Sequence, residues 1–411
     1  MAARRVAITG AGVVSPLGNS FAALRGALAE ARPGIRRLPA EVTQASGVQV
    51  GALVEWNPAD LFKGAEAANL DRVSQFALAA AGEALAHSGL DPADANAQRI
   101  GVYWGTGMGG AHSLEAAYRQ IYGAGEWRLR PLTVVMAMNN AAGANVAVRH
   151  GLGGPFANFS TACSSSAMAL GEAMRVIATG RADAIVAGGA EALLTSGTLA
   201  AWQALRTLAP ADAADPAASC KPFDRRRAGL VLGEGAAAFV LEDEAHARAR
   251  GARVLGYLSG YGNSCDAVHL SRPDSGGQAR AMRAALEESG LAPADIGYIN
   301  AHGTATAVGD LVEAEAINAA LGSAAAQVRV SSTKSLHGHL LGGAGALEFA
   351  VALLALDEGL IAPTAFLEQP DPAAKLRHVA LKAERIEPPR AVMSNSFGFG
   401  GSNVVLVAER A

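Results

Sequence analysis

Cys163 stands in Thr161-Ala-Cys-Ser-Ser-Ser-Ala-Met-Ala-Leu, where an extended stretch over 156–160 gives way to a helix over 164–179. A cysteine at a helix start faces unpaired backbone N–H groups and the positive end of the helix dipole, which lowers the thiol pKa and suits it to nucleophilic attack. The same N–H groups form half of an oxyanion hole. A lone cysteine in apolar surroundings is equally a small core residue, and only convergent partners separate the two readings. Asn300-Ala-His302-Gly-Thr304-Ala-Thr306 closes one strand-like run, and Ser331-Ser-Thr-Lys334-Ser-Leu-His337-Gly-His339 closes another. Strand ends open onto loops, where site residues collect. His-Gly-His also raises a metal, but no acid or cysteine at ligand spacing accompanies it and none is expected to bind. Asn395-Ser-Phe397-Gly-Phe399-Gly-Gly401-Ser-Asn403 is a glycine-laced aromatic turn, pliable enough for a gate or a simple hairpin.

The elements that must place these residues alternate. Strands are expected over 5–9, 100–104, 184–187, 237–241, 296–300, 328–331 and 404–407, and helices over 70–87, 164–179, 278–289, 309–320 and 340–357, which is the pattern of an α/β protein with helices packed on sheets. The helices after Cys163 and after His339 are apolar almost all round, so both are expected to be buried between sheets. The chain also echoes itself. Ala84-Leu-Ala-His-Ser-Gly-Leu-Asp-Pro-Ala-Asp94 recurs as Ala285-Leu-Glu-Glu-Ser-Gly-Leu-Ala-Pro-Ala-Asp295, and Gly233-Glu-Gly-Ala-Ala-Ala-Phe-Val-Leu-Glu242 pairs with Gly400-Gly-Ser-Asn-Val-Val-Leu-Val-Ala-Glu409. Each first-echo copy ends a helix at Ser-Gly, with glycine as the C-cap, and leads to a strand ending in Gly-Thr (Gly105-Thr106, Gly303-Thr304). Two echoes in the same order predict a duplicated unit, with halves at 1–250 and 251–411. Gly10-Ala-Gly12 lacks the third glycine and the later acid of a dinucleotide site and reads as a tight strand-to-helix turn.

The 411 residues are 50% hydrophobic and 17% charged, which supports a large core. With 34 basic against 37 acidic side chains there is no polycation for nucleic acid. No run of roughly 18–20 apolar residues predicts a membrane span. Cys163, Cys220 and Cys265 show no CxxC spacing, which argues against a disulfide scaffold or zinc ribbon and for a reducing cytoplasm. The start at Met1 is leader-like only until Gly10 and Gly12 break its apolar run.

On these motifs, together with Ser15-Pro-Leu-Gly, Gly105-Thr-Gly, Ala187-Gly-Gly-Ala-Glu191, Pro222-Phe-Asp and Leu232-Gly-Glu-Gly, the chain resembles the elongating β-ketoacyl-[acyl carrier protein] synthases of the thiolase-fold superfamily, essentially end to end. The resemblance implies two duplicated α/β halves in five alternating layers with buried central helices. It implies Cys163 as nucleophile, His302 and His339 as the histidine pair, Lys334 as the ordering lysine, and Phe399 as a gate whose N–H completes the oxyanion hole with that of Cys163. It implies decarboxylative condensation of a malonyl group with an acyl chain on Cys163, giving a 3-oxoacyl product. Thr304 and Thr306 match the threonines that hold the pantetheine arm, and no cofactor is expected beyond phosphopantetheine on the carrier. Glu348, inside an apolar helix where a lone carboxylate is costly, is expected to pair with Lys334.

The resemblance also implies an acyl carrier protein as partner and a dimer, either of two identical chains or with a chain-length-factor-like subunit. Arg128, Arg130 and Arg206 are the candidates for carrier binding, and small residues over 141–148 suit close packing between chains. Met108, Thr133 and Trp202 fall at acyl-pocket positions and depart from the family's usual residues. The missing C-terminal cysteine argues against a degradative thiolase. The intact Cys, His, His, Lys set argues against a non-catalytic partner subunit. The Cys-Ser-Ser-Ser run keeps polyketide or polyene building open beside fatty-acid elongation.

Overall fold

The run around Gly10 and Gly12 lies inside a strand. In the computed structural model, which describes residues 4–93 and 96–411, strand β1 (Val6–Val14) is buried at every position. A Cβ at Gly10 would meet Ala84 O at 2.2 Å and one at Gly12 would meet Ala80 O at 2.1 Å, both on helix α1 (Arg72–Ser88). The glycines therefore let a helix backbone lie against a strand backbone, and the expected turn is corrected to a packing contact. Met1 of the leader-like start and Asp94 at the end of the first echo lie outside the described residues.

The chain then repeats itself in space. After β1 and α1 come β2 (Ile100–Gly105), α2 (Ala141–His150), β3 (Phe156–Phe159), α3 (Ser165–Ala178), β4 (Ala184–Glu191) and β5 (Gly235–Asp243). The second series is β6 (Gly256–Cys265), α4 (Ser275–Ser289), β7 (Ile296–Asn300), α5 (Gly309–Leu321), β8 (Arg329–Ser331), α6 (Ala344–Glu358), β9 (Arg377–His378), β10 (Ala391–Gly398) and β11 (Ser402–Glu409). The strands pair in the order β9-β8-β7-β10-β11-β6-β1-β5-β4-β2-β3. Outward from the centre, β1-β5-β4-β2-β3 and β6-β11-β10-β7-β8 show the same succession of two antiparallel and two parallel pairings. They join through Val6↔Leu258, Ala7↔Tyr257 and Ile8↔Gly256. The Ser-Gly echo marks equivalent points, since α1 ends on Gly89 at φ 64° and α4 on Gly290 at φ 68°. The downstream half of that expectation is corrected: Gly105 ends β2, but β7 stops at Asn300 and Gly303-Thr304 lies in the loop beyond.

Alternation along the strands builds the layers. Ile185, Ala187, Phe239 and Leu241 share a core with Val404, Leu406 and Ala408, with Leu170 and Ile177 of α3, and with Leu347 and Val351 of α6. The intervening Ala184, Val186, Ala238 and Val240 face α1 and α2, while Val405 and Val407 face α4 and α5. This gives helices, sheet, central helices, sheet, helices: the expected five layers. Helix α6 is buried from Ala344 to Leu356. It starts later than residue 340 because a 3-10 turn, Leu341–Gly343, precedes it. The small residues of α2 pack within their own chain, where a Cβ on Gly143 would meet the Trp104 Cβ at 2.8 Å. Ala144 and Ala147 are only partly buried and Val148 is exposed, so one side of α2 stays open.

Candidate active site

The loops at the C-terminal ends of β3, β7 and β8 converge on the N-termini of the two central helices. Cys163 sits in a 3-10 turn, Ala162–Ser164, just ahead of α3, and the chain enters it through Ala162 at φ 52°. A positive φ on alanine is strained and must be held by its surroundings. The serines after Cys163 help to hold it: Ser164 Oγ donates to Thr161 O at 2.8 Å, Ser165 Oγ donates to Ala162 O at 2.7 Å, and Ser166 Oγ accepts the Ala346 N–H at 2.9 Å, tying α3 to α6.

His339, between the one-turn helix Lys334–His337 and α6, places Nε2 3.0 Å from the Cys163 sulfur. The His302 ring lies edge-on to it, with centroids 5.4 Å apart at 82°. Lys334 Nζ lies 3.3 Å from His302 Nδ1 and donates to His302 O at 2.5 Å. It also forms an ion pair with Glu348, and both side chains are fully buried. The structure thus brings together the five residues read as chemistry and its support.

Burial decides their charge states. His302 and His339 are held well below the usual imidazole value, first by burial and then by the Lys334 charge. Both are neutral at pH 7. The expected depression of the Cys163 pKa does not follow: burial pushes the thiol up to about 12, with Lys334 and a hydrogen bond from the Phe399 N–H pulling only part of the way back. The 3-10 turn ahead of α3 buries the thiol, and in low dielectric the cost of an anion exceeds the pull of the helix start. The resting nucleophile is a thiol that must hand off its proton. Burial also raises Glu348 to about 7, against the pull of Lys334.

Two carboxylates went unrecognised as site residues in the sequence. Glu313 on α5 accepts the N–H groups of His302 at 2.8 Å and Gly303 at 2.7 Å, and the Asn395 amide at 3.0 Å. Glu191, at the end of β4, accepts from Gly107, Met108 and Gly342 at 2.7, 3.1 and 3.0 Å. Each binds loop backbone in place beside the site. For Glu191 the available signal was a carboxylate in an otherwise apolar run, which must find partners, whereas Glu313 shares its helix with Asp310 and Glu315 and carries no such mark.

A cavity of about 380 Å³ reaches Cys163, His302 and His339, and its walls include Thr304, Thr306, Trp202, Arg206 and Phe399. Thr304 and Thr306 face each other, hydroxyl to hydroxyl, at 3.1 Å. Phe399, in the hairpin turn between β10 and β11, stacks on Trp202 with centroids 5.9 Å apart at 21°. Other expected residues stand elsewhere. Met108 is 42% exposed, Thr133 begins the short helix Thr133–Ala137, and neither lines this cavity. Arg128 and Arg130 are exposed and also stand off it, with Arg130 donating to Ala68 O at 2.8 Å. The Cys163 sulfur and an imidazole nitrogen from each histidine lie within 4.8 Å of one another, a spacing open to a soft cation, but the Lys334 ammonium beside His302 opposes one electrostatically.

A duplicated five-layer fold with a cysteine and two neutral imidazoles at the heads of its central helices defines a thiol-based condensing enzyme. The chain belongs to the β-ketoacyl synthase family: residues 3–247 match its N-terminal domain and residues 255–368 its C-terminal domain. It is 39% identical over 410 residues to the 3-oxoacyl-[acyl-carrier-protein] synthase 2 of Staphylococcus aureus, covering 99% of this chain and 98% of that one. Among solved structures, the ishigamide ketosynthase/chain length factor is similar with a TM-score of 0.93 and 31% identity over all of both chains. The AntDE:AntF structure, a type II polyketide acyl-carrier protein in complex with its ketosynthase, gives 0.91 and 28%, also over all of both chains. The chain is therefore a condensing acyltransferase of fatty-acid or polyketide synthesis.

Proposed function

We propose that Cys163 carries the growing acyl chain while His302 and His339 drive decarboxylation of a malonyl thioester held by an acyl carrier protein. The observation that carries this is the 3.0 Å contact between His339 Nε2 and the Cys163 sulfur, with His302 alongside. In the first half-reaction the neutral imidazole of His339 accepts the thiol proton as sulfur attacks the incoming acyl thioester. The carrier's thiol leaves with that proton, and backbone N–H groups of Cys163 and Phe399 hold the oxyanion. In the second, the malonyl thioester oxygen takes the place between the histidines. Lys334 only donates, so His302 Nδ1 accepts from it and Nε2–H is the donor left for the substrate. His339, in its Nε2–H tautomer, supplies the other donor. The C–C bond to the carboxylate breaks, its electron pair forms the enolate, and carbon dioxide leaves. The enolate carbon attacks the acyl carbonyl, the C–S bond breaks, a 3-oxoacyl thioester two carbons longer departs, and the Cys163 sulfur takes one proton from solvent to restore the resting thiol.

Thr304 and Thr306 offer paired hydroxyls to the amides of the carrier's pantetheine arm, and Arg206 adds positive charge on the same cavity for an acidic carrier. Arg128 and Arg130 remain surface candidates for the same partner. The chain pairs with a second ketosynthase-fold chain, identical or chain-length-factor-like. End strand β3 has a free edge, and Tyr122, Trp127, Val134, Val148 and Phe156 leave apolar surface exposed. A solution mass of one chain contradicts that pairing. Among the described residues no helix is long and apolar enough to cross a membrane, and the proposed setting is the cytoplasm. The test of the activity is intact-mass spectrometry over a panel of acyl-carrier proteins. A mass shift equal to the acyl group on the native enzyme, absent in Cys163→Ala, is expected; no shift on the native enzyme overturns the reading.

A further inference from the structure

His337 precedes His339 by two residues, and the chemistry above does not use it. It is fully buried, lies in the one-turn helix Lys334–His337, and both ring nitrogens are engaged. Nδ1 lies 2.7 Å from Gly338 O and Nε2 lies 2.9 Å from Thr333 Oγ1. Thr333 Oγ1 in turn accepts from Asn300 Nδ2 at 3.2 Å, whose second hydrogen goes to Tyr298 Oη at 3.0 Å. Tyr298 Oη contacts Ser331 Oγ at 2.8 Å, and Ser331 Oγ donates to Ala362 O at 2.6 Å.

Each proton in this chain has one place. Ser331 gives its hydrogen to a carbonyl, so Tyr298 must donate to Ser331, and Asn300 must donate to both hydroxyls. Thr333, having accepted from Asn300, donates to His337 Nε2. His337 is then the neutral Nδ1–H tautomer and donates to Gly338 O. That last bond fixes the peptide after Gly338, which turns through φ 67° and ψ −170° into His339. A side chain at residue 338 would be strained at that φ and would meet the Ala52 Cβ at 3.0 Å and Val231 O at 3.1 Å, so the turn is held from both sides.

The spacing gives the network its role. Asn300 stands two residues before His302, Thr333 immediately before Lys334, and His337 two before His339. We infer that Asn300, Thr333 and His337 form a brace that locks the two catalytic histidines and the lysine into one register, with His337 as the positioning residue for His339. Asn300 ends β7, whereas Thr333 and His337 lie in the stretch after β8 that forms the one-turn helix Lys334–His337, and among the described residues no backbone ladder joins the two segments beyond Ser331. Side-chain bonds are what span that gap. The inference rests on the proposed roles of His302, Lys334 and His339.

The test is a double-mutant cycle on decarboxylation of malonyl-carrier protein, with His337→Phe, which keeps ring volume without the bonds, and Thr333→Val, which removes only the hydroxyl. Each is expected to lower kcat about 10-fold with KM within about two-fold, since the substrate is still bound but met by a misaligned imidazole. The double variant is expected to lose about 10-fold and not about 100-fold, because both cut one chain. Thr333→Ser, which keeps the hydroxyl, is expected to restore the native rate. Native-like kcat in His337→Phe, or losses that multiply, overturns the brace. If His337→Phe does not fold, Thr333→Val against Thr333→Ser decides alone: equal rates overturn it. A native enzyme that releases no carbon dioxide contradicts the underlying catalytic reading instead.

Discussion

At the residue scale the site is a set of groups whose charges are fixed by burial. Cys163, His302, Lys334 and His339 stood out by residue type at helix and strand ends and by the family resemblance, and Glu348 as a carboxylate inside an apolar helix; the structure brings the five together. Their protonation states were not legible. The sequence shows that Cys163 starts a helix but not how deeply the thiol is buried, and burial reverses the expected shift. The Lys334–Glu348 pair carries a prediction at this scale. Glu348→Gln leaves a buried ammonium without its counter-charge, at a cost of about 3–5 kcal/mol. Pairing Lys334→Met with Glu348→Leu removes both charges and recovers most of that stability while decarboxylation stays lost. Denaturant unfolding and carbon dioxide release measure the two; a Glu348→Gln protein as stable as the native one contradicts the pairing.

At the element scale, hydrophobic period and cap residues located the helices and strands, and their ends moved where side chains capped or tightened the chain. Asp71 accepts from the Val73 N–H and starts α1 at Arg72, two residues beyond the expected start. The Gly10-Ala-Gly12 misreading has a physical reason: a glycine needed for a turn and one needed for helix-to-strand contact are the same letter, and the distinguishing partner lies about 70 residues away on α1. Gly12→Ala forces a methyl into the Ala80 carbonyl. It is expected to destabilise by about 1–3 kcal/mol in urea unfolding, as overpacked sites do, while activity per folded molecule stays native. Native-like stability shows that β1 and α1 have room to part.

At the scale of the whole molecule, the duplication was readable because both halves reuse one cap, Ser-Gly-Leu-x-Pro-Ala, at equivalent helix ends. How the halves join was not readable, since β1 and β6 share only three residue pairs and nothing in either strand announces the other. The same holds for Glu191 and Glu313, whose partners are backbone groups that only the assembled fold brings near. The joining nevertheless forms the candidate site: the first half supplies Cys163, the second supplies His302, Lys334 and His339, and the cavity opens where they meet. The central claim is that these contributions divide the reaction, with Cys163 holding the acyl group and the histidines releasing carbon dioxide. Single-turnover measurement of both half-reactions in His302→Ala tests this most directly. A full acyl mass shift on Cys163 is expected, with carbon dioxide release slowed about 10²–10³-fold, the loss typical for one oxyanion donor; release at the native rate, or loss of acylation in step with it, contradicts this division of labour.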